Sequence, residues 1–252
     1  MRSGAPERRW EMGAKTRKVI LFVVEGPTDE ETLSPVFKKI FQREDVRFHV
    51  VHGDMTSNWS VSGANALKTV YEHIEVERKR YGIEKRDIMK VIHLVDLDGA
   101  FIPEDRVLGG KAGVVKYFDD RIESPDPDRI IDRNKRKSQV LHRLFAADAV
   151  GRIPYSIYYF SRNLEHVLHN SSEDLTDDEK ISYADAFADR YGSDQKGFQA
   201  FLSNGGFAVS GDFHETWNFI MQGLNSLQRH CNLHLLFQEK EQEDAADKRR
   251  KL

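Results

Sequence analysis

The chain has 252 residues, of which 39% are hydrophobic and 31% charged, and its formal net charge is −3 at pH 7. This length suits one large domain, or a core of about 150 residues with an added subdomain. The net charge excludes a uniformly basic nucleic-acid coat, so an anionic substrate would have to meet local basic patches or a bound cation.

The N-terminal segment, residues 1–17, is basic and contains no apolar signal-peptide core, so we expect a flexible basic arm. The longest apolar run covers residues 19–24, far short of the roughly 20 residues that a membrane span needs. The single cysteine, Cys231, excludes an intramolecular disulfide and favours a reducing compartment. These features predict a cytoplasmic protein with no membrane partner.

The first half of the chain alternates strand and helix patterns. The continuous apolar and β-branched run over 19–24 predicts a strand buried on both faces. Thr28 and Glu31 form a capping box that predicts a helix reaching about Gln42. The next predicted elements are a strand over 46–51, a helix over 62–81 and a strand over 90–95.

A stretch rich in Pro, Gly and Asp over 100–130 is interpreted as an insertion, with a short strand at 114–118. The elements predicted after it are a helix over 131–147, a strand over 154–160 and a helix over 163–169. This order predicts an α/β fold whose mostly parallel, four-stranded sheet is flanked by helices and connected by right-handed crossovers. We expect this core to occupy residues 18–170.

The remainder of the chain has a helical pattern, and no segment of it predicts a strand that would extend the sheet. Residues 171–237 are predicted to form a helical C-terminal subdomain. The last segment, 238–252, is almost wholly charged and predicts a disordered tail or a frayed helix. The helices predicted in the subdomain cover 176–191, 194–203 and 213–230.

Acidic residues follow two of the predicted strands directly. Glu25 comes after the first strand, and Asp96 and Asp98 come after the third. The carboxyl ends of parallel strands meet at one edge of a sheet, so these carboxylates should converge there. Like charges at that spacing repel, and a divalent cation would relieve the repulsion. An all-oxygen ligand set favours Mg²⁺ or Mn²⁺, ions that activate a nucleophile and neutralise a phosphoryl group.

The same residues resemble those of a known family. The run Val24-Glu25-Gly26-Pro27-Thr28-Asp29, followed later by Val95-Asp96-Leu97-Asp98, is similar to the two motifs of the Toprim domain. That domain occurs in topoisomerases, primases, RecR and the overcoming-lysogenization-defect nucleases. The resemblance covers about residues 18–170. It implies that Glu25 acts as general acid/base, that Asp96 and Asp98 are metal ligands, and that Asp29 binds a second metal ion.

A later element also resembles part of the nuclease branch of that family. The segment Phe160-Ser-Arg-Asn-Leu-Glu165 is similar to an element that follows the fourth strand. The resemblance implies that Glu165 is an additional metal ligand and that Arg162 or Asn163 faces phosphate.

The chain also departs from several members of the family. It is too short for the strand-passage domains of a topoisomerase, and it lacks the zinc module of a primase and the Gly-x-x-x-x-Gly-Lys-Ser/Thr loop of an ATPase. The resemblance therefore implies a stand-alone Toprim-like nuclease. It would act on DNA or RNA in bacterial defence or nucleic-acid processing, with a separate protein such as an ATPase as a partner.

Basic residues in the predicted helix 131–147 could contact a phosphate backbone, or they could form an ordinary solvated helix face. Asp54 also follows a strand end, although turn chemistry explains it equally well. The basic residues are Arg133, Lys135, Arg136 and Lys137.

Two other functions remain open at this stage. Asp96-Leu-Asp-Gly99 matches the motif of haloacid-dehalogenase-like phosphatases, in which Asp96 would be a phosphorylated nucleophile and Asp98 a general acid. That motif normally closes the first strand of its domain, whereas here it follows the third. The chain could also be a non-catalytic assembly module whose acids bind a structural cation or none.

Overall fold

A six-stranded sheet lies at the centre of the fold, in a computed structural model that describes residues 18–171, 175–204 and 206–250. The expected basic arm, residues 1–17, lies outside the described residues. The strands are β1 (Val19–Val24), β2 (Asp45–Val50), β3 (Ile88–Asp96), β4 (Val107–Gly109), β5 (Lys116–Tyr117), β6 (Ile122–Ser124), β7 (Ala149–Val150), β8 (Ile153–Ser161) and β9 (His230–Cys231). The helices are α1 (Pro27–Ile40), α2 (Ala66–Tyr81), α3 (Pro127–Phe145), α4 (Leu164–His169), α5 (Asp177–Tyr191), α6 (Gln195–Asn204), α7 (Phe213–Ile220) and α8 (His234–Arg250).

The four long strands run parallel in the order β2-β1-β3-β8. The short strands β7 and β9 both pair antiparallel with β8. The prediction of an α/β fold with a mostly parallel sheet flanked by helices is therefore confirmed. The predicted count of four strands is wrong, because strands of two residues are too short to give an alternating pattern in the sequence.

The sheet is covered on both faces, as the apolar run over β1 requires. Every residue of β1 is buried. Alternate side chains enter two different hydrophobic clusters, with Phe22 packing on one face and Leu21 and Val23 on the other. This burial on both sides is the usual environment of parallel strands, which explains why β1 lacks the polar alternation of a half-exposed strand.

The chain after residue 170 packs across the sheet on both faces. On one face, Phe187, Phe198 and Phe237 join Phe37 of α1 in a single aromatic cluster. On the other face, Trp217 is fully buried, and its ring lies 5.0 Å from that of Tyr159 on β8. The C-terminal helices therefore complete the core of the α/β sheet.

The C-terminal segment differs from its predicted pattern at two places. The helix predicted over 213–230 ends at Ile220, and Gly223 then adopts a positive φ of 55° in a turn. The chain next forms β9, which extends the sheet by pairing Cys231 with Phe160. The expectation of no further strand is therefore wrong. The backbone of a two-residue strand pairs without any repeating side-chain pattern.

The charged segment after residue 237 belongs to α8, so for the described residues up to 250 the structure agrees with the helical alternative and not with the disordered one. Lys240 is only 9% exposed, and its Nζ lies 3.0 Å from Oε1 of Glu44. Glu239 accepts hydrogen bonds from Lys90 at 2.9 Å and from the Tyr158 hydroxyl at 3.1 Å. The partners of these charged side chains lie far away in the sequence. The charge pattern of the segment itself therefore does not reveal them.

The predicted insertion forms a small sheet of its own, in the order β4-β6-β5. Ile122 of β6 is fully buried, in a cluster with Val107 of β4 and Ile130 of α3. The helix predicted from 131 begins at Pro127 instead, because the Asp126 side chain accepts a hydrogen bond from the Arg129 N–H and caps it. The insertion is therefore joined directly to the first turn of α3.

The helix predicted over 62–81, by contrast, begins four residues later than predicted, at Ala66. The Asn65 side chain accepts a hydrogen bond from the Ser62 N–H at 2.7 Å, which holds residues 62–65 in a turn. Across the described part of the chain, no helix combines the length and apolar character that crossing a membrane would require.

The ion pairs of α8 give a test of its packing. We expect Lys240→Ala to lower the free energy of unfolding by about 1–3 kcal/mol, because it leaves the Glu44 carboxylate poorly exposed and without its cation. Glu241→Ala, an exposed position on the same helix, should change it by less than about 0.5 kcal/mol. Urea denaturation of both variants measures the difference. Equal stabilities would contradict the packing of α8.

Candidate functional site

The carboxyl ends of β1 and β3 lie side by side and bring the two acidic motifs together. Val23 of β1 pairs with His93 of β3, so Glu25 and Asp96 follow from adjacent positions in the ladder. The Glu25 Oε1 accepts a hydrogen bond from the Asp96 backbone N–H at 3.3 Å. The convergence predicted from the strand ends is therefore present as a direct contact.

A pocket of about 350 Å³ opens at this edge of the sheet. Its wall contains the five acids singled out in the sequence, together with Asn163, Asp54 and Lys180. Sequence reasoning did not select Lys180, which comes from α5, and nothing in its local pattern indicates the pocket. The acids that line it are Glu25, Asp29, Asp54, Asp96, Asp98 and Glu165.

Helix N-termini fix the orientation of several of these side chains. The Asp29 Oδ2 accepts a hydrogen bond from the Gly26 N–H at 2.9 Å in the first turn of α1. The Asp96 Oδ1 accepts one from the Leu164 N–H at 3.1 Å, at the start of α4. The Asn163 side chain caps the same helix by accepting from the His166 N–H at 2.9 Å. Backbone N–H groups at helix starts stabilise negative charge, so both carboxylates are positioned by α1 and α4.

Glu165, on the first turn of α4, is 8% exposed and faces the same pocket. Its Oε1 lies 3.7 Å from the Lys180 Nζ of α5. The segment after the fourth long strand therefore contributes an acid to the cluster, as the resemblance implies.

Lys137 lies inside the acidic cluster. The side chain is fully buried, and its Nζ lies 2.7 Å from Oδ2 of Asp54 and 2.6 Å from Oδ2 of Asp98. Asp54 is itself fixed by accepting hydrogen bonds from the backbone N–H groups of Thr56 and Ser57. Sequence reasoning placed Lys137 on a phosphate-facing helix surface, but the inward face of α3 carries it between two carboxylates.

The ionisation of the acids reflects this crowding. Burial, followed by the charges of Asp54 and Asp96, raises the pKa of Glu25, although Lys137 opposes the increase. Burial and the neighbouring carboxylates, Asp29 first, likewise raise the pKa of Asp96. Carboxyls with raised pKa values gain from any cation that enters among them.

Three further groups complete the electrostatic balance of the pocket. Burial raises the pKa of Asp29 to about 6, with the Gly26 N–H opposing the increase and Glu165 adding to it. Burial alone would raise the pKa of Asp54, but the charge and hydrogen bond of Lys137 lower it well below its usual range. Burial disfavours the charged form of Lys137, yet its carboxylate neighbours raise its pKa overall.

A sharp turn after β3 sets the direction of Asp98. Asp98 and Gly99 have positive φ values of 48° and 70°. The positive φ of Gly99 and a contact of 2.6 Å between an added Cβ and the Leu227 Cδ2 both favour glycine at this position. The Asp-Gly pair therefore has a structural reason as well as a chemical one.

The two arginines nearest to the site connect it to the insertion. Arg162, predicted to face phosphate, is 2% exposed and donates a hydrogen bond from Nη1 to the backbone oxygen of Tyr117 at 3.2 Å. Arg133 donates to the Tyr117 hydroxyl at 2.6 Å and to the backbone oxygen of Asp98 at 2.9 Å. Both side chains therefore hold the small sheet against the carboxylate pocket.

The other two predicted phosphate contacts lie on the outer side of α3. Lys135 is exposed and lies 3.1 Å from the carboxylate of Glu104. Arg136 donates a hydrogen bond to the backbone oxygen of Ser57 at 2.9 Å and stacks on the ring of Trp59. The basic cluster is thus divided between the site and the surface beside it.

The donor set fits a hard divalent cation in its chemistry, because it consists of carboxylate oxygens, and burial together with neighbouring carboxylates raises the pKa of Glu25 and of Asp96. Among residues 18–171, 175–204 and 206–250, no group of three or more His, Cys, Asp or Glu side chains is already arranged to hold a metal ion. Binding of Mg²⁺ or Mn²⁺ would therefore require side-chain adjustment within the pocket.

Comparisons of the chain with protein-family models, with curated proteins and with solved structures find no match. The Toprim resemblance consequently depends on the two acidic motifs and on their positions after β1 and β3.

The raised pKa of Asp29 gives a pH-dependent prediction. A carboxyl whose folded pKa is raised contributes stability that is complete below its unfolded value of 3.8 and is lost as the pH rises through about 6. In EDTA at pH 8, we therefore expect Asp29→Asn to raise the free energy of unfolding by about 1–2 kcal/mol. The gain should disappear at pH 4.

Urea denaturation at both pH values measures the effect, with Glu31→Gln as the control, since Glu31 is exposed on the same helix outside the pocket. A pH-independent difference, or a loss of stability at pH 8, would contradict the electrostatic account of the site.

Proposed function

We propose that this chain is a divalent-metal-dependent nuclease that hydrolyses phosphodiester bonds of DNA or RNA using Mg²⁺ or Mn²⁺. One observation carries the proposal: six carboxylates, five of them on turns or helix starts after parallel strands, line one pocket, and two of them pair with the buried Lys137. Sites of this composition at the carboxyl edge of an α/β sheet suit phosphoryl chemistry, in which negative charge must be neutralised.

We further propose that β2, β1, β3 and β8 form a Toprim-like core. The order and parallel direction of these strands place Glu25 next to Asp96 and Asp98. Glu165 then reaches the same pocket from the start of α4, directly after β8. The positions of the motif residues thus agree with what the resemblance implies.

The residues that would hold metal ions are Asp96, Asp98, Asp29 and Glu165. A bound Mg²⁺ or Mn²⁺ supplies an activated water molecule and neutralises charge on the phosphoryl group. The Asp29 and Asp96 carboxylates are already oriented by the N–H groups at the starts of α1 and α4.

Glu25 is suited to move a proton. Its Oε1 accepts from the Asp96 N–H, which fixes the carboxyl group relative to the metal-binding acids. Burial and its acidic neighbours raise its pKa, and a raised pKa makes a carboxyl a better proton acceptor than an ordinary exposed one. Lys137 contributes a fixed positive charge between Asp54 and Asp98, where phosphate charge would have to be balanced.

The first experiment incubates purified protein with single- and double-stranded DNA and RNA in Mg²⁺, Mn²⁺ or EDTA. We expect cleavage that requires a divalent ion. Glu25→Gln should reduce the rate by about 100-fold or more, because general acid–base groups contribute effects of this size. Asp96→Asn should abolish both cleavage and the Mn²⁺-induced rise in melting temperature.

Glu84→Gln is the matched control, because Glu84 is exposed before the start of β3 and outside the pocket. Cleavage that persists in EDTA would rule out the proposed site. Cleavage by Glu25→Gln and Asp96→Asn at the wild-type rate would rule it out as well. Phosphatase activity with a covalent phosphate on Asp96 would instead favour the dehalogenase-like alternative. Unimpaired cellular function of Glu25→Gln, with no activity on any substrate, would favour an assembly role.

Lys137 offers a second test through stability. We expect Lys137→Met to lower the free energy of unfolding in EDTA by about 2–4 kcal/mol, because Asp54 and Asp98 lose their buried cation. Mn²⁺ should then stabilise this variant more than the wild type, since it neutralises the same carboxylates.

Thermal denaturation with and without Mn²⁺ measures both effects. Lys135→Met is the control, because Lys135 is exposed on the same helix and its pair with Glu104 is solvated. Mn²⁺ that stabilises neither the wild type nor Lys137→Met would count against a metal site among these carboxylates.

A further inference from the structure

A second pocket, of about 530 Å³, lies beside the carboxylate pocket. Its wall is formed by the loop after β2, by the insertion and by the start of α3. Residues that line it include Trp59, Val114, Asp126, Arg129, Ile130 and Arg133. The surface combines large apolar side chains with cationic ones.

Trp59 is the most exposed aromatic residue of this surface. Its side chain is 61% exposed, and Val114 in the same pocket is 60% exposed. The guanidinium carbon of Arg136 lies 3.5 Å from the indole centroid, and Arg136 also donates to the backbone oxygen of Ser57. The indole is therefore supported by a cation on one side while most of its area remains open to solvent. Exposed apolar surface that is contiguous and rimmed by polar residues, as Trp59 and Val114 provide here, is typical of ligand-binding grooves.

The charge of the pocket favours an anion. Arg129 is exposed and Arg133 half-buried at the wall, and Arg136 lies beneath Trp59. The opposing acid is Asp126, whose side chain already caps α3 by accepting from the Arg129 N–H. On a chain with a net charge of −3, this is a local basic patch of the kind that an anionic polymer requires.

A hydrogen bond links the walls of the two pockets. Arg133 lines the second pocket and donates a hydrogen bond to the backbone oxygen of Asp98 at 2.9 Å. Lys137, the residue after Arg136, reaches Asp54 and Asp98 with its Nζ. One polymer chain could therefore lie in the second pocket while its neighbouring phosphate lies at the carboxylates.

We propose that the second pocket binds an unpaired nucleobase stacked on Trp59, with the exposed Arg129 contacting a flanking phosphate and Arg133 adding positive charge at the wall. The substrate of the proposed nuclease is then a single-stranded nucleic acid, or a strand with an unpaired base next to the scissile phosphate. This inference rests on the proposed function. Stacking on an aromatic ring within a basic groove is a sequence-tolerant way to hold single strands. A base inside a duplex is already stacked on its neighbours and cannot reach such a ring.

The test measures binding without cleavage, by fluorescence anisotropy of a labelled oligonucleotide in EDTA. Wild-type protein should bind the single strand more tightly than a blunt duplex of the same length. Trp59→Ala should weaken single-strand binding by about ten-fold or more, a change in the range expected for loss of one stacked base. Trp59→Phe should retain most of the affinity.

Tyr81→Ala is the matched control. Tyr81 is 42% exposed, and the guanidinium carbon of Arg47 lies 4.9 Å from the centroid of its ring, but it lies outside this pocket at the end of α2. This variant should bind like the wild type. A wholly abasic oligonucleotide of the same length adds a second readout: wild type should bind it less tightly than the intact single strand, and Trp59→Ala should bind the two about equally.

Failure of this inference can be told apart from failure of the proposed function. Equal binding of duplex and single strand, equal affinity of Trp59→Ala and wild type, or no binding to any oligonucleotide would overturn the stacking proposal. Trp59-dependent binding without metal-dependent cleavage would support stacking and reject the nuclease. Metal-dependent cleavage that Trp59→Ala leaves unchanged would support the nuclease and reject the stacking proposal.

Discussion

The burial of Lys137 among carboxylates is the interaction on which the rest of the site depends. Parallel strands place acids at one edge of the sheet, where burial, followed by the repulsion of neighbouring carboxylates, raises the pKa values of Glu25 and Asp96. A cation in the cluster offsets part of that repulsion, and Lys137 supplies it through contacts of 2.7 and 2.6 Å. The site is therefore stable enough to fold yet remains short of positive charge, which is the condition that favours uptake of a divalent ion.

Helix α3 positions the cations of the site because of the spacing of its basic residues. Residues three and four apart lie on one helical face, so Arg133, Arg136 and Lys137 extend from neighbouring positions towards the edge of the sheet. Lys137 reaches inward to the acids, whereas Arg136 reaches outward to Trp59. The start of the helix is fixed by the cap at Asp126, which also ends the insertion. One helix thus sets the positions of the carboxylate pocket, the basic patch and the small sheet relative to one another.

The parts of the fold that the sequence predicted are those with a repeating local pattern. The apolar runs of β1 and β3 located both strands, and their ends located Glu25, Asp96 and Asp98. The burial of Lys137 could not be predicted in this way, because a run of basic residues looks the same whether a helix faces solvent or a cluster of acids. The role of its partner Asp54 was open for a similar reason. One carboxylate oxygen of Asp54 accepts the turn hydrogen bond from Thr56 and the other accepts from Lys137, so the turn pattern in the sequence does not reveal the ion pair.

The C-terminal differences have a related cause. The strand β9 is made by two backbone pairings with β8, and backbone pairing leaves no trace in side-chain periodicity. The charges of α8 form contacts with Glu44 and Lys90, which lie far away in the chain. A run of charged residues indicates disorder only when its side chains are solvated and not paired with other parts of the protein. Those pairs are known only when the fold is known.

The location of the basic residues also explains how an acidic chain could handle a polyanion. A uniformly positive surface would attract nucleic acid everywhere, whereas here Arg129, Arg133 and Arg136 gather beside a site whose own acids repel phosphate. Phosphate would enter that site only when a divalent ion compensates the carboxylates, so binding on the basic patch and chemistry at the acids have different requirements. Under the proposed function, metal loading would therefore be a condition for cleavage but not for binding on the basic patch.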